Sequence, residues 1–413
     1  MKKQINGPSI IFSRFNEDSS WKSKKFKELL NPTEGIRRGP FGSALKKELF
    51  VQNSEYVVYE QQNAIYDHFN TRYRISEEKY RELKKFILLP GDFIMSGAGT
   101  IGKISLVPEG IENGVFNQAL IRLRVNKNTD KEFFLQWMRS PEMQNKLTKA
   151  NPASAMVNLV PMSEVKEWDV IIPSPEEQSA IGSLFRTLDD LLASYKENLA
   201  NYQSLKATML SKMFPKAGQT VPEIRLDGFD GEWEIKRADE IFKSVSEKNK
   251  ASLPVLSASQ IDGMVLRDEI GIDIQYDEAT LNNYKVVKPG QFVIHLRSFQ
   301  GGFALSRLEG ITSPAYTIID FIDKENNLPA FWNSILTSRD FIKRLETVTY
   351  GIRDGKSISF KDFSSLKFVF PNFKEQQAIG TYFSNLDNLI NSHQEKISQL
   401  ETLKKKLLQD MFI

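Results

Sequence analysis

The sequence matches itself once, at an offset of 198 residues. Pro173 to Phe214 reads PSPEEQSAIGSLFRTLDDLLASYKENLANYQSLKATMLSKMF and Pro371 to Phe412 reads PNFKEQQAIGTYFSNLDNLINSHQEKISQLETLKKKLLQDMF, with seventeen of 42 positions identical and no gap. A duplication constrains the fold strongly, because two copies of one segment need equivalent partners. Each copy begins with proline and then Glu/Gln, carries one glycine near its start and lacks an internal proline, which predicts two long helices. Their apolar residues recur at three- and four-residue steps, so each helix has a face that must be covered. Leu184, Leu188, Leu191, Tyr195, Tyr202 and Leu205 of the first and Tyr382, Leu386, Leu389, Leu400 and Leu403 of the second are the expected pairing residues. Two core helices in separate domains would also carry such faces. Equal seams and nearly equal lengths favour pairing with each other.

The flanking segments correspond more weakly. Leu89-Pro90-Gly91-Asp92-Phe93-Ile94 aligns with Lys288-Pro289-Gly290-Gln291-Phe292-Val293, and WMRSPEMQNKL with SILTSRDFIKRL. In each half a tryptophan (Trp21, Trp233) precedes short strands bounded by Gly, Pro and Asn, then a short helix, then a strand (WDVIIP, LKFVFP) leading into the long helix. The predicted class is α+β: two mixed α/β domains, residues 1–172 and 215–370, separated by two repeated helices, 173–214 and 371–413. The helices are expected to form an antiparallel coiled coil with pseudo-two-fold symmetry.

Composition narrows the function. Without cysteine and with only three histidines, the chain of 413 residues builds no disulfide framework, Cys/His zinc site or cysteine nucleophile. No apolar run suits a signal peptide or a membrane span, so a soluble, cytoplasmic chain is expected. The net charge of +3 is small but uneven. Residues 1–172 hold 26 Lys/Arg against 20 Asp/Glu, while residues 215–371 hold 20 against 22. Bulk charge therefore suits a phosphate-binding face in the first half, and only local clustering could supply one in the second.

Catalytic motifs fail on context. Gly97-Ala98-Gly99-Thr100-Ile101-Gly102 satisfies GxGxxG, yet KISLVPEG follows where a dinucleotide site needs a helix. Read as a P-loop, it has Ile104 where a magnesium-binding hydroxyl belongs. A glycine-bent hairpin is expected instead. Glu164-x-Lys166 and Asp354-Gly355-Lys356 lack an accompanying set of carboxylates, and no NPPY-type tetrapeptide marks an amino-methyltransferase. The polar loops suit DNA better. Arg37, Arg38, Ser43 and Lys46, among glycines, offer donors to phosphate, and Gln61, Gln62 and Asn63 offer amides to adenine edges. In the second half Arg297, Ser298, Gln300, Tyr350, Arg353, Lys356 and Ser357 place donors beside aromatic rings.

The helix starts, Pro173 with Glu177-Gln178-Ser179-Ala180-Ile181-Gly182 and Pro371 with Glu375-Gln376-Gln377-Ala378-Ile379-Gly380, are each followed by Leu-Asp and a Met-Phe end. With Val221-Pro222-Glu223-Ile224-Arg225-Leu226-Asp227-Gly228-Phe229 before Gly231-Glu232-Trp233, the chain resembles the specificity subunits (HsdS) of Type I restriction-modification systems over essentially its whole length. The N-terminal counterpart, IIFSRFNEDSSW, lacks the Pro-Glu-Ile-Arg start. The resemblance implies a non-catalytic subunit whose two target-recognition domains each read half of a bipartite, asymmetric target in double-stranded DNA. It implies helices that set the spacing and dock two methyltransferase subunits, with motor-nuclease subunits in the full complex. S-adenosylmethionine, ATP and magnesium would belong to those partners, and this chain would hold no cofactor or metal. A coiled-coil scaffold that binds proteins but no defined DNA sequence is the alternative.

Overall fold

The structure, a computed structural model, describes residues 21–97, 99–150, 157–159, 161–259, 262–270, 278–295, 302–348 and 359–412. Two helices of 38 residues dominate it, Pro175–Lys212 and Phe373–Asp410. Their starts are capped alike: the Ser174 hydroxyl accepts from the Glu177 N–H at 3.2 Å, and the Asn372 side chain from the Glu375 N–H at 3.1 Å. Contacts divide the chain into two compact units, Met1–Lys196 with Glu395–Ile413, and Glu197–Gln394. Each long helix therefore contributes one part to each unit.

The first unit holds two four-stranded sheets. One runs Ile36–Arg38, Leu120–Leu123, Phe93–Ser96, Ile104–Leu106 in spatial order, all antiparallel. The other runs Phe50–Val51, Tyr73–Ile75, Tyr56–Tyr59, Gly114–Phe116, the last pair parallel. A ribbon of Lys22–Lys25 against Asp169–Ile172 leads into the first long helix. The main core joins Phe26, Phe93, Phe133, Phe134 and Trp137 to Ile181, Phe185 and Leu188 of the first helix and Met411 and Phe412 after the second.

The second unit repeats the plan. Its four-stranded sheet runs Phe242–Val245, Thr317–Phe321, Phe292–Ile294, Phe303–Leu305. Glu234–Arg237 pairs with Lys367–Phe370, as the ribbon of the first unit does. The segments aligned by sequence, around Phe93 and Phe292, are both interior strands, each preceded by a glycine at positive φ (Gly91 +85°, Gly290 +86°). The core joins Trp233, Phe242, Phe292, Phe331 and Trp332 to Met213, Ile379, Phe383 and Leu386.

The joint between each domain and its helix explains the repeated motif. Gln178 Oε1 accepts from the Asp130 N–H (3.0 Å) while its Nε2 donates to the Pro173 carbonyl (3.0 Å). Gln376 does the same with the Leu328 N–H (3.1 Å) and the Pro371 carbonyl (3.0 Å). Both amides are buried. One turn on, a Cβ on Gly182 would lie 2.5 Å from Asp130 Oδ1 and one on Gly380 3.0 Å from Leu328, so glycine permits the close approach. The glutamates differ. Glu375 receives Nε and Nη2 of Arg225 at 2.7 Å each, whereas among the described residues Glu177 receives only the Trp21 indole N–H at 3.3 Å and leaves Oε2 without a partner.

The buried stripe of each helix follows its own domain. Ile181, Phe185, Leu188 and Leu192 are buried in the first helix and Ile379, Phe383, Leu386 and Ile390 in the second, matched positions of the repeat. Of the expected pairing residues Leu188 and Leu386 reach the domain cores, with Leu184, Leu400, Tyr202 and Tyr382 packed against them and Tyr195 half-buried. Leu191, Leu205, Leu389 and Leu403 do not: all four are exposed. A seam spaced at 3.5 assumes that the partner helix alone is the covering surface. Here the domain cores take in Ile181, Phe185 and Leu188 and, in the second copy, Ile379, Phe383 and Leu386; burial steps by four, three and four from Ile181, and Leu192 and Ile390 are the next buried positions.

Both units also join parts of the two helices. In the first unit Phe412 stacks on Phe185 at 5.8 Å, Lys404 pairs with Asp189 at 2.5 Å and Lys196 with Glu401 at 2.7 Å. In the second unit Phe214 stacks on Phe383 at 6.0 Å and Lys206 pairs with Asp387. Replacing each residue by its match in the repeat turns the Phe185–Phe412 and Asp189–Lys404 contacts into the Phe383–Phe214 and Asp387–Lys206 contacts.

Arg225→Met strands the Glu375 carboxylate in the core, and should lower the unfolding free energy of the second unit by about 3–5 kcal/mol, read from urea denaturation. Glu177 is the opposite case. Burial raises its carboxyl above the ordinary range, with the Trp21 hydrogen bond a partial offset. A raised folded value means that ionisation disfavours the folded state, so this glutamate is least costly below about pH 4 and more costly as pH rises through its folded value. Glu177→Gln should therefore raise the urea midpoint of the first unit at pH 7 and leave it near wild type at pH 4. A lower midpoint at pH 7 would contradict this account.

Candidate nucleic-acid interface

In the first unit the expected binding residues gather around the edge strand Ile36–Arg38 and the turn after it. The strand pairs Arg37 with Arg122, and both guanidiniums reach Glu34: Arg37 Nη2 at 3.2 Å, and Arg122, which is buried, through a short contact. The Arg122 hydrogen bond, with further help from its charge and from Arg37, holds the Glu34 carboxyl below the usual range despite some burial. Arg37 is therefore half-buried and partly neutralised, not a free phosphate ligand as expected. Arg38, Ser43, Lys46 and Lys47 are exposed, and the three cations make no ion pair among the described residues.

The turn is rigidly mounted. The Gly39 N–H donates to the Leu120 carbonyl at 2.9 Å, and a Cβ on Gly39 would lie 1.9 Å from the Asn117 carbonyl oxygen, so no other residue fits. Gln118, exposed, thus stands beside the basic turn. A cleft of about 370 Å³ adjoins them, bordered by Lys47, Glu60, Arg72, Tyr73, Asn117 and Gln118. Arg72 is braced there by Glu60 (2.8 and 3.2 Å) and lies 4.8 Å over the Tyr73 ring. Arg72, Asn117 and Gln118 escaped the sequence reading because nothing local in the sequence joins residue 72 to residues 117–118. Only the adjacent amides at 117–118 resembled the run Gln61-Gln62-Asn63.

The amide cluster separates on folding. Gln61 and Gln62 are half-buried on the helix Gln61–Tyr66, and Gln61 Nε2 donates to the Thr100 carbonyl at 3.3 Å. Asn63, at 0% exposure, is not a DNA ligand. Its Oδ1 accepts from the Glu60 N–H (2.7 Å) and its Nδ2 donates to the His68 and Asn70 carbonyls (2.9 Å each), which satisfies every polar atom inside the fold. The glycine motif forms the hairpin expected of it: Gly102, at φ +78°, donates to the Ser96 carbonyl, and the strand Ile104–Leu106 follows. No helix stands where a pyrophosphate would need one. Among the described residues no group of His, Cys, Asp or Glu is arranged to hold a metal.

In the second unit Arg297, Ser298, Gln300, Tyr350, Arg353, Lys356 and Ser357 lie outside the described residues.

The family model for the Type I restriction modification DNA specificity domain matches residues 19–201 and again residues 231–402. The chain belongs to this family. The specificity subunit of the type I restriction enzyme MjaVIII from Methanocaldococcus jannaschii is 21% identical over 97% of this chain and 96% of its own length. A protein of the same organism, provisionally named the MjaX specificity subunit, is 22% identical over 81% of this chain and 80% of its own. The solved S subunit of the Type I restriction-modification system of M. genitalium shares the fold, with a TM-score of 0.60 at 15% identity over 99% of both chains. This protein is thus a specificity subunit of a Type I restriction-modification system, with DNA target-recognition domains. No described helix is long and apolar enough to cross a membrane.

Arg38→Ala should weaken binding to specific and unrelated DNA alike and lower the salt slope by about 0.9, one phosphate contact. Arg37→Ala should change the slope less, because Glu34 already holds that guanidinium. Asn63→Ala should leave the salt slope alone and cost about 1–3 kcal/mol of stability through stranded backbone groups. Titrations at several salt concentrations, with urea melts of the same variants, separate the two kinds of residue.

Proposed function

We propose that this specificity subunit reads a bipartite, asymmetric target in double-stranded DNA, one half through residues 1–172 and the other through residues 215–370. The segments 173–214 and 371–413 act as an antiparallel coiled coil with pseudo-two-fold symmetry, which sets the spacing between half-sites and docks two methyltransferase subunits. The chain performs no chemistry itself. Methyl transfer, and the translocation and cleavage of a restricting complex, belong to methyltransferase and motor-nuclease partners in the cytoplasm.

The observation that carries this reading is the repetition of the joint and its neighbouring contacts on two domains whose loops differ. Gln178 and Gln376 make the same two bonds, and the Asp189–Lys404 and Asp387–Lys206 pairs are matched positions of the repeat. Equal mounts suit equal placement on DNA, and unlike loops suit unlike sequences. The basic turn of the first unit and its amide-bordered cleft offer donors of the types that meet phosphate and base edges.

The test is a map of methylated adenines produced by the chain with its methyltransferase partner. Exchanging residues 215–370 for those of a relative should change one half of the target and leave the other. A change in both halves would defeat the two-reader reading. The spacing role has its own test. At 1.5 Å per residue a 38-residue helix is about 57 Å long, against about 34–36 Å for one turn of DNA. Four helical residues inserted near Asn198 add about 6 Å, and local unwinding absorbs part of it. The spacer should lengthen by about one or two base pairs, at roughly 3.4 Å each, with both half-sites unchanged.

A further inference from the structure

Among the described phenylalanines Phe41 alone is exposed, at 90%. A single apolar residue at a surface is ordinary. Its mounting is not. On one side Gly39 is pinned to Leu120 and pressed against the Asn117 carbonyl, and Pro40 is buried. On the other the Phe41 carbonyl accepts from the Ala44 N–H at 2.8 Å and Leu45 is buried. The backbone is held at both ends of a short turn while the ring stands in solvent. Gly42 adds to the clearance: nothing lies within 4 Å of where its Cβ would be.

The surroundings identify what the ring meets. Arg38 precedes it and Lys46 and Lys47 follow, all exposed and without an ion pair among the described residues, so an apolar tip rises from a cationic base. That arrangement complements one polymer in particular, with anionic phosphates outside and flat apolar bases stacked within. We propose that Phe41 is a wedge that enters the base stack beside the first half-site and partly unstacks one step, while Arg38 and the lysines hold the flanking phosphates. The wedge adds specificity without a hydrogen bond. Flexible pyrimidine–purine steps open at least cost, so the residue selects for deformability at the step it enters. The inference rests on the reading of the first unit as a DNA-recognition domain.

The experiment uses the chain assembled with its methyltransferase partner, on duplexes that carry the target read from the methylation map. 2-Aminopurine replaces one base at a time through the first half-site and its flanks, and its emission rises where stacking is lost. Besides the methylated adenine, which the methyltransferase turns out of the stack, the wild-type complex should raise emission at one or two adjacent positions. Phe41→Ser should abolish that rise and weaken specific binding by about tenfold to a hundredfold, the range of one mismatched base pair, with binding to unrelated DNA little changed. Phe41→Leu should restore both, since leucine is also a wedge residue. Specific binding with no rise outside the methylated adenine would overturn the wedge and leave DNA reading intact. So would loss of methyltransferase assembly in Phe41→Ser with DNA binding unaltered, which would make the ring a protein contact. Absence of any sequence-specific binding by the wild-type complex would overturn the function together with the wedge.

Discussion

Two buried amides set how each domain sits on its own helix. Gln178 and Gln376 bond a backbone N–H at the start of a domain helix and the proline carbonyl just before their own helix, so one side chain ties three segments together. Sliding the joint by a turn would break both bonds and leave a buried N–H and C=O unpaired, at about 1–3 kcal/mol each. Glycine one turn on removes the side chain that would hold the segments apart, and isoleucine beside it fills the core. The Glu-Gln-x-Ala-Ile-Gly block is therefore one mechanical part, which accounts for its survival in two copies whose domains have diverged.

The two joints are not equally strong. A bidentate arginine neutralises Glu375, while Glu177 has an indole N–H and an unpaired oxygen. Burying a charge is costly without a partner, so the same motif stabilises one unit and taxes the other. A similar contest decides the basic strand of the first unit. Glu34 is already bonded to the buried Arg122, and its second oxygen draws in Arg37, so two adjacent arginines in sequence have different surroundings in space.

Much of the fold was legible in the sequence, because a gapless repeat reports equivalent environments whatever those environments are. The long helices, the lead-in strands and the glycine hairpin all follow from local pattern, and all are present. The register of burial was not legible. Leu191 and Leu192 are adjacent and chemically identical, yet Leu192 is buried and Leu191 exposed, a difference that only the tertiary surroundings make. The site was read at the level of one basic turn and no further. Asn63 looks like a recognition amide until three backbone groups from a distinct loop and a helix start are seen to occupy it. Arg72, Asn117 and Gln118 acquire a common cleft only after strands distant in sequence pair. Long-range partners are what composition and periodicity lack.

The two units differ in one respect that bears on how the chain comes to fold. Residues 197–394 are continuous, and the cores of the second unit lie within that stretch. The first unit is interrupted: Met411 and Phe412 complete a core whose other fully buried members end at Leu188. On a ribosome, the second unit has all its core residues while the first still lacks the pair that seals Phe133 and Phe185. The segment translated earliest is thus the one that finishes last, and until it does an aromatic surface waits uncovered.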